Sequence, residues 1–307
     1  MQSTNHKVIA AAVVAILAII GVVVFTGNSD DTVVTDENSN ITTLQKAVPL
    51  NLNLTNLQPL TEGVYEGWVV RGDDKFSFGT FNTDSSDNII GELNLGATEP
   101  QNGDKVVITI EPSVDDDDGP SGVVILAGDI VDGSASLAFP IDVSEFSGQY
   151  ILATPTNDPA EFETSGIWFL DPSNMTASLN LPDAPDGWVY EGWVVHQGNP
   201  ISSGKFKTAA GFDMFDGYSG QKDGPPFPGE DFVANLPFGI DMPIELADGM
   251  SKIVISIEPD IAGVDPTGDG PAQVKPLSTD VPESAKDHFL YDLGASSESV
   301  PSGSASL

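Results

Sequence analysis

Two short acidic loops are the first candidates for chemistry in this chain, and each follows a Glu-Pro pair. After Glu111-Pro112 comes the run Asp115, Asp116, Asp117, Asp118; after Glu258-Pro259 come Asp260, Asp265 and Asp269. Adjacent carboxylates repel one another unless water, salt or a cation screens them. Calcium takes about six to eight hard oxygens and accepts irregular loops. A weak calcium site using Asp115–Asp118, Asp265 and Asp269 is therefore an expectation to test. Neither loop has the spacing of an EF-hand, and a solvated acidic turn is the simpler account.

Other residues could carry chemistry. Glu66 and Glu191 recur at equivalent places, each two residues before a tryptophan (Trp68, Trp193). Strand alternation puts glutamate and tryptophan on one face. A buried general acid is one reading; a carboxylate bonded to loop backbone or a lysine is the other. Acid–base work by a carboxylate pair needs both groups at one substrate. These two fall in separate copies, so a structural role is expected. The histidines are His6, His196 and His288, and the counterpart of His196 is Arg71. A duplicated metal site would repeat its ligands, so no zinc site is expected. There is no G-x-S-x-G elbow, P-loop or G-x-G-x-x-G signature. No catalytic residue and no cofactor beyond calcium is expected. Asn40, Asn53 and Asn174 stand in N-x-[ST] frames, which are possible glycan acceptors on an exported chain.

The elements that must position these groups come from a duplication. Val64-Tyr-Glu-Gly-Trp-Val-Val70 is repeated letter for letter as Val189–Val195. Lys105-Val-Val-Ile-Thr-Ile-Glu-Pro112 returns as Lys252-Ile-Val-Ile-Ser-Ile-Glu-Pro259. Two blocks in one order make a duplicated domain. The offset grows from 190 − 65 = 125 to 258 − 111 = 147, so the second copy carries 147 − 125 = 22 extra residues. They fall in 209–249, a Gly/Pro-rich stretch with Phe212, Phe215, Tyr218, Phe227, Phe232 and Phe238. A long loop with its own aromatics is often functional, although aromatics also bury wherever they can.

Short runs rich in β-branched and aromatic residues, punctuated by Gly, Pro, Asp and Asn, predict strands throughout. The expected fold is all-β: two tandem β-sandwich, immunoglobulin-like domains at 50–146 and 147–294. Val8–Phe25 is an unbroken apolar run long enough, at about 1.5 Å per residue, for a helix across a bilayer. Lys7 before it and Asp30-Asp31 after it favour an uncleaved signal anchor with a cytoplasmic stub at 1–7. Residues 26–49 read as a flexible acidic stalk and 295–307 as a disordered tail.

The charge is −35, from 46 acidic residues against 11 Lys plus Arg. Such a field repels nucleic-acid phosphates, so no nucleic-acid partner is expected. The chain has no cysteine, which excludes disulfides, thiolate metal sites and a cysteine nucleophile.

The pieces Tyr65–Val70, Ser77–Phe81, Val106–Pro112 and Gly119-Pro120, with Tyr190–Val195, Ser202–Phe206, Ile253–Pro259 and Gly270-Pro271, resemble the extracytoplasmic C-terminal domain of the anti-sigma-K factor. The segments Tyr150–Thr156 and Pro228-Gly-Glu-Asp-Phe232 are similar to tandem anti-sigma-factor domains of microbial surfaces. The resemblance implies a non-catalytic β-module outside the membrane. It does not carry the regulatory function, because seven residues ahead of the apolar run cannot hold a sigma factor. The resulting expectation is a membrane-anchored surface protein with a structural or binding role, whose partner is a surface protein or a glycan. A remnant anti-sigma-type regulator and an extracellular hydrolase using the 209–249 insert are the alternatives.

Overall fold

The computed structural model describes residues 23–25, 32–35, 41–44 and 50–307, except 95–102, 115–118, 158–160, 238 and 241. It is nearly all β, with 43% of residues in strands and no α-helix among the described residues. Among the described residues the one helical element is a short 3-10 turn at Leu246–Asp248.

The first three strands form a small meander of their own: β1 (Val23–Phe25), β2 (Thr32–Thr35) and β3 (Ile41–Leu44). Val23–Phe25 pairs with Thr32–Thr35, which pairs in turn with Ile41–Leu44. The rest of the apolar run and the stub lie outside the described residues. No helix among the described residues is long and apolar enough to cross a membrane.

The first copy supplies β4 (Asn51–Thr55), β5 (Val64–Arg71), β6 (Asp74–Thr83), β7 (Ile89–Gly91), β8 (Lys105–Glu111), β9 (Val124–Val131) and β10 (Ser134–Ala138). The second supplies β11 (Ser147–Leu152), β12 (Ile167–Trp168), β13 (Leu170–Asp171), β14 (Thr176–Ala177), β15 (Leu179–Asn180), β16 (Trp188–His196), β17 (Asn199–Phe206), β18 (Gly229–Glu230), β19 (Ser251–Pro259), β20 (Leu277–Asp280) and β21 (Tyr291–Ala295). The last strand, β22 (Ser302–Ser306), belongs by sequence to the end of the second copy.

Each copy follows one continuous hydrogen-bonded path. The first sheet runs β4-β22-β10-β9-β8-β5-β6-β7 and curls into a half-barrel. The second runs β17-β16-β19-β20-β21-β11-β12-β18, with β15 on β11, and forms a nearly closed barrel whose end strands β17 and β18 lie against each other. A bulge at Gly67/Trp68 and its twin at Gly192/Trp193 add local twist at the same point of each sheet.

The C-terminal tail is a correction. Ser302–Ser306 is a strand inserted between β4 and β10, with Ala305 buried. Its small Ser, Gly and Ala residues, which made it read as frayed, are what a strand between two close neighbours needs. A Cβ on Gly303 would come 2.6 Å from the Asn53 carbonyl oxygen. The reverse crossing occurs after the first copy, where β11 leaves β10 and pairs with β21. The two crossings share a register. Gly303 faces Leu137, and Gly148 faces Leu293. Each sheet is thus completed by the strand that follows the other copy.

The halves also share one core. A single cluster of buried side chains includes Leu57, Ile110, Ile125 and Phe139 of the first copy and Trp188, Ile257 and Val274 of the second. Phe139 meets Trp188 edge-on at 5.2 Å, and Phe146 meets Tyr190 at 6.1 Å. Gly187 has φ +81° and lies so close to Gly122 that a Cβ would stand 2.5 Å from its carbonyl oxygen. That glycine is one of the places where the two backbones touch.

Candidate functional site

The repeated motifs build the same device twice. In the first copy the Trp68 indole N–H donates to Thr109 Oγ1 at 2.9 Å, and Thr109 donates to the buried Glu111 carboxylate. In the second the Trp193 indole donates to Ser256 Oγ at 2.9 Å, and Ser256 donates to Glu258. Backbone N–H groups of the following loop close each network: Ser121 onto Glu111 at 2.8 Å, and Ala272 onto Glu258 at 2.8 Å. The Glu-Pro strand end, the Gly-Pro turn and the tryptophan are therefore one buried hydrogen-bonded unit. Burial pushes the Glu258 carboxyl up, against the lowering effect of its bonds to Ser256, Ala272 and Thr267.

Glu66 and Glu191 sit on the neighbouring hairpin. Ser77 donates to Glu66, and Ser202 donates to Glu191 at 2.5 Å. The same hydroxyls accept from the N–H of Gly79 and Gly204. Lys205 lies 3.7 Å from Glu191. Both glutamates thus hold the β-hairpin turnback, one in each copy, and do not meet. Burial pushes Glu191 up to about 7, with the Glu258 charge adding to it and Ser202 and Lys205 opposing it.

The remaining sequence candidates are dispersed. His196 Nδ1 is 2.8 Å from Ser251 Oγ, and His288 is exposed beside Asp287; His6 lies outside the described residues. Asp260 pairs with Lys207 at 2.5 Å. Asp265 Oδ1 accepts from Thr267 and from the Gly268 N–H, and Asp269 is exposed. Among the described residues no three acidic or imidazole groups converge as a metal site requires. Asp115–Asp118 and Asn40 lie outside those residues. Asn53 is exposed on β4, and Asn174 is exposed in the β13–β14 turn with its amide on Asp171 at 2.9 Å.

The 22-residue excess of the second copy makes something the first copy lacks. Met214 N–H donates to the Lys205 carbonyl of β17, and the Asp213 carboxylate accepts from the Gly229 N–H of β18 at 2.8 Å and from Phe215 N–H at 2.9 Å. The Asp213-Met214 pair thereby stitches the two end strands of the barrel, Met214 through its backbone to β17 and Asp213 through its carboxylate to β18. Gly204, at φ +113°, leaves the room it needs; a Cβ there would lie 2.7 Å from the carboxyl carbon. Glu230 accepts from Ser219 and from the N–H groups of Tyr218 and Asp231. Asp231 accepts from the Trp168 indole at 2.8 Å and from Thr156. The segments 150–156 and 228–232 meet at this last contact. Burial raises all three carboxyls, Asp213 to about 6 and Glu230 to about 7.

Over this closure lies a cleft of about 620 Å³. Trp168, Phe227, Phe212 and Phe215 line it, with Asp213, Asp216 and Asp223 among its polar groups. Phe232 and Phe227 are buried and serve the core, whereas Phe212 is 68% exposed and Phe215 37% exposed. The aromatic-rich insert announced this region in the sequence. Its carboxylates were missed, because Asp213, Glu230 and Asp231 have no counterpart in a repeated block. A smaller polar hollow of about 260 Å³ lies by His196, Asn199, Glu245 and Asp248. There Glu245 is spent on Thr164 and the Ala247 N–H.

No protein-family model, curated protein or solved structure matches the chain. The cleft is therefore read from its own chemistry. Every buried carboxylate around it is occupied by hydrogen bonds within the fold, which suits holding a wall in place. What faces solvent is aromatic surface beside the negative charges of Asp216 and Asp223 and the positive charge of Lys222.

Proposed function

We propose that this chain is a non-catalytic binding protein of the cell surface, and that it binds in the cleft of the second copy. The ligand class is a cationic organic group, such as a lysine or arginine side chain of a partner protein. In this reading the apolar run beginning at Val8 anchors the chain, the two copies are sandwich-like modules of the anti-sigma-factor type held outside the membrane, and the first serves as a spacer. The observation that carries it is the pairing of exposed Phe212 and Phe215 with Asp216 and Asp223, which outweigh the charge of Lys222 on the rim of a 620 Å³ cleft. Aromatic faces and carboxylates together attract cations, and a net charge of −35 steers them inward. Non-catalytic binding is supported over hydrolysis because Asp213, the half-buried acid on the cleft wall, has both oxygens tied to backbone N–H groups.

The test is fluorescence titration of the Trp168 environment with short Arg- or Lys-containing peptides and, separately, neutral oligosaccharides. Saturable, salt-sensitive binding of the cationic peptides, lost in a Phe212→Ala/Phe215→Ala variant, is the expected result. Binding of the neutral sugars alone would replace the ligand class. Turnover of either probe that disappears in Asp213→Asn would replace binding by catalysis.

A further inference from the structure

We propose that copies of this chain join head to tail by passing the C-terminal strand β22 of one molecule into the first sheet of the next. The slot lies between β4 and β10. Its register runs Ser302–Ser306 against Thr55–Asn51 on one side and against Ala138–Ser134 on the other. The slot selects its occupant by shape. Gly303 lies 2.6 Å, measured from an added Cβ, from Asn53 O, and Ala305 is buried opposite Ala135 and Leu52. At Gly303 a side chain would run into that carbonyl oxygen.

The occupant is a second copy of this chain because the fold already obeys that rule internally. Neither repeat completes its own sheet. The strand after the first copy fills the second, and the strand after the second fills the first. Inside one molecule the two transfers close on each other. Between molecules the same transfer, through β22 alone, uses one surface as donor and another as acceptor. Such a heterologous contact builds rings or open chains. The contacts in the slot are identical in both arrangements, so concentration decides between them. A tethered strand competes with an effective concentration on the order of millimolar. Closed monomers therefore dominate in dilute solution, and exchange appears where molecules are packed to that density. The connecting residues 296–301 supply the hinge. Ser297 and Glu298 within it are exposed, while Asn56 holds the carbonyls of Glu298 and Val300 in the closed form.

The absence of cysteine makes the test direct. Ala135 and Ala305 are register partners, so Ala135→Cys and Ala305→Cys placed in one molecule should form an internal disulfide without change of size. The two single variants, carrying different tags, are then mixed at about millimolar concentration, refolded together and oxidised. A covalent heterodimer is expected, growing with concentration, and absent when Ala135→Cys is mixed instead with Ser297→Cys in the hinge. Three outcomes overturn the proposal. If the double variant closes but the mixture stays monomeric at every concentration, the strand is not passed between molecules. If the hinge cysteine cross-links equally well, the dimer reflects random collision. If the double variant fails to close, β22 does not occupy the slot.

Discussion

Replacing Glu191 by glutamine should change the sign of its effect with pH. Glu191 is 5% exposed, and burial holds its carboxyl at about 7 against an ordinary 4.5. A raised acid pKa means the folded state binds the proton more tightly than the unfolded chain. The associated stability is present below pH 4.5 and is lost as the pH rises through about 7. The difference of 7 − 4.5 = 2.5 corresponds to about 3 kcal/mol at about 1.4 kcal/mol per unit. Glutamine removes that loss, keeps an oxygen for the Ser202 hydroxyl, and gives up the Lys205 contact, which is worth at most about 1 kcal/mol for a half-exposed lysine. Glu191→Gln should therefore be stabilising by about 2 kcal/mol at pH 8 and neutral or slightly destabilising at pH 4. Urea titrations of both proteins at pH 4, 6 and 8 in high salt, which suppresses the general repulsion of a −35 chain, measure the difference. Its twin Glu66 is half-buried, and Glu66→Gln serves as the matched control within about 0.5 kcal/mol. Parallel stability curves for Glu191→Gln and the parent between pH 4 and 8 would refute the assignment of a buried, destabilised carboxylate.

Further expectations follow from the same geometry. Gly67→Ala places a Cβ 1.8 Å from the ring of fully buried Phe78, so it should cost about 3 kcal/mol or more in chemical denaturation, and Phe78→Leu should restore part of the loss. Ser256→Ala leaves the Trp193 indole N–H without its acceptor and should cost about 1–3 kcal/mol, visible as a lowered melting midpoint. Deleting residues 302–307 strips ladder bonds worth about 1 kcal/mol each from both β4 and β10, so the melting midpoint of the shared core should fall, and a 302–307 peptide added in trans should raise it again. Phe212→Ala/Phe215→Ala, at exposed positions, should leave the melting midpoint within about 1 °C while weakening ligand binding about tenfold in the fluorescence titration.

The fold was legible where residues are repeated and local. The β-branched runs in Val64–Val70 and Lys105–Glu111, and in their twins, mark β5, β8, β16 and β19, while their pairing appears only in the structure. What escaped the sequence is non-local. Nothing in Ser302-Gly-Ser-Ala-Ser306 distinguishes a frayed tail from a strand, since its stability comes from two neighbours contributed by residues 51–55 and 134–138. Propensity describes a segment alone, whereas a central strand of small residues is specified by the slot it enters. The shared core was hidden for the same reason. Leu57 and Ile110 read as ordinary core residues of one copy, and only the meeting with Trp188 and Ile257 shows that they belong to both. The site was half legible. Clustered phenylalanines marked the insert, but which of them face solvent depends on how 209–249 folds back onto β12 and β17.

The duplication separates folding chemistry from functional chemistry. A residue needed by the module itself should recur in both copies in the same role. Trp68 and Trp193, Glu111 and Glu258, Ser77 and Ser202 do so down to their hydrogen-bond partners. The resemblance motifs are built from these residues, so they report architecture and say little about ligand. A residue that serves a function of one copy need not recur. Asp213, Glu230, Asp231, Trp168, Phe212 and Phe215 have no counterpart in the repeated blocks, yet four of them are buried or half-buried around one cleft. Holding three carboxylates there at raised pKa costs stability, and that cost is tolerated only in the copy that carries the insert. In the first copy the half-barrel ends at the short strand β7. In the second, the Asp213-Met214 stitch closes the barrel and supports the cleft wall. The asymmetry between two otherwise matching copies is thus the feature that directs the search for a ligand to the second copy.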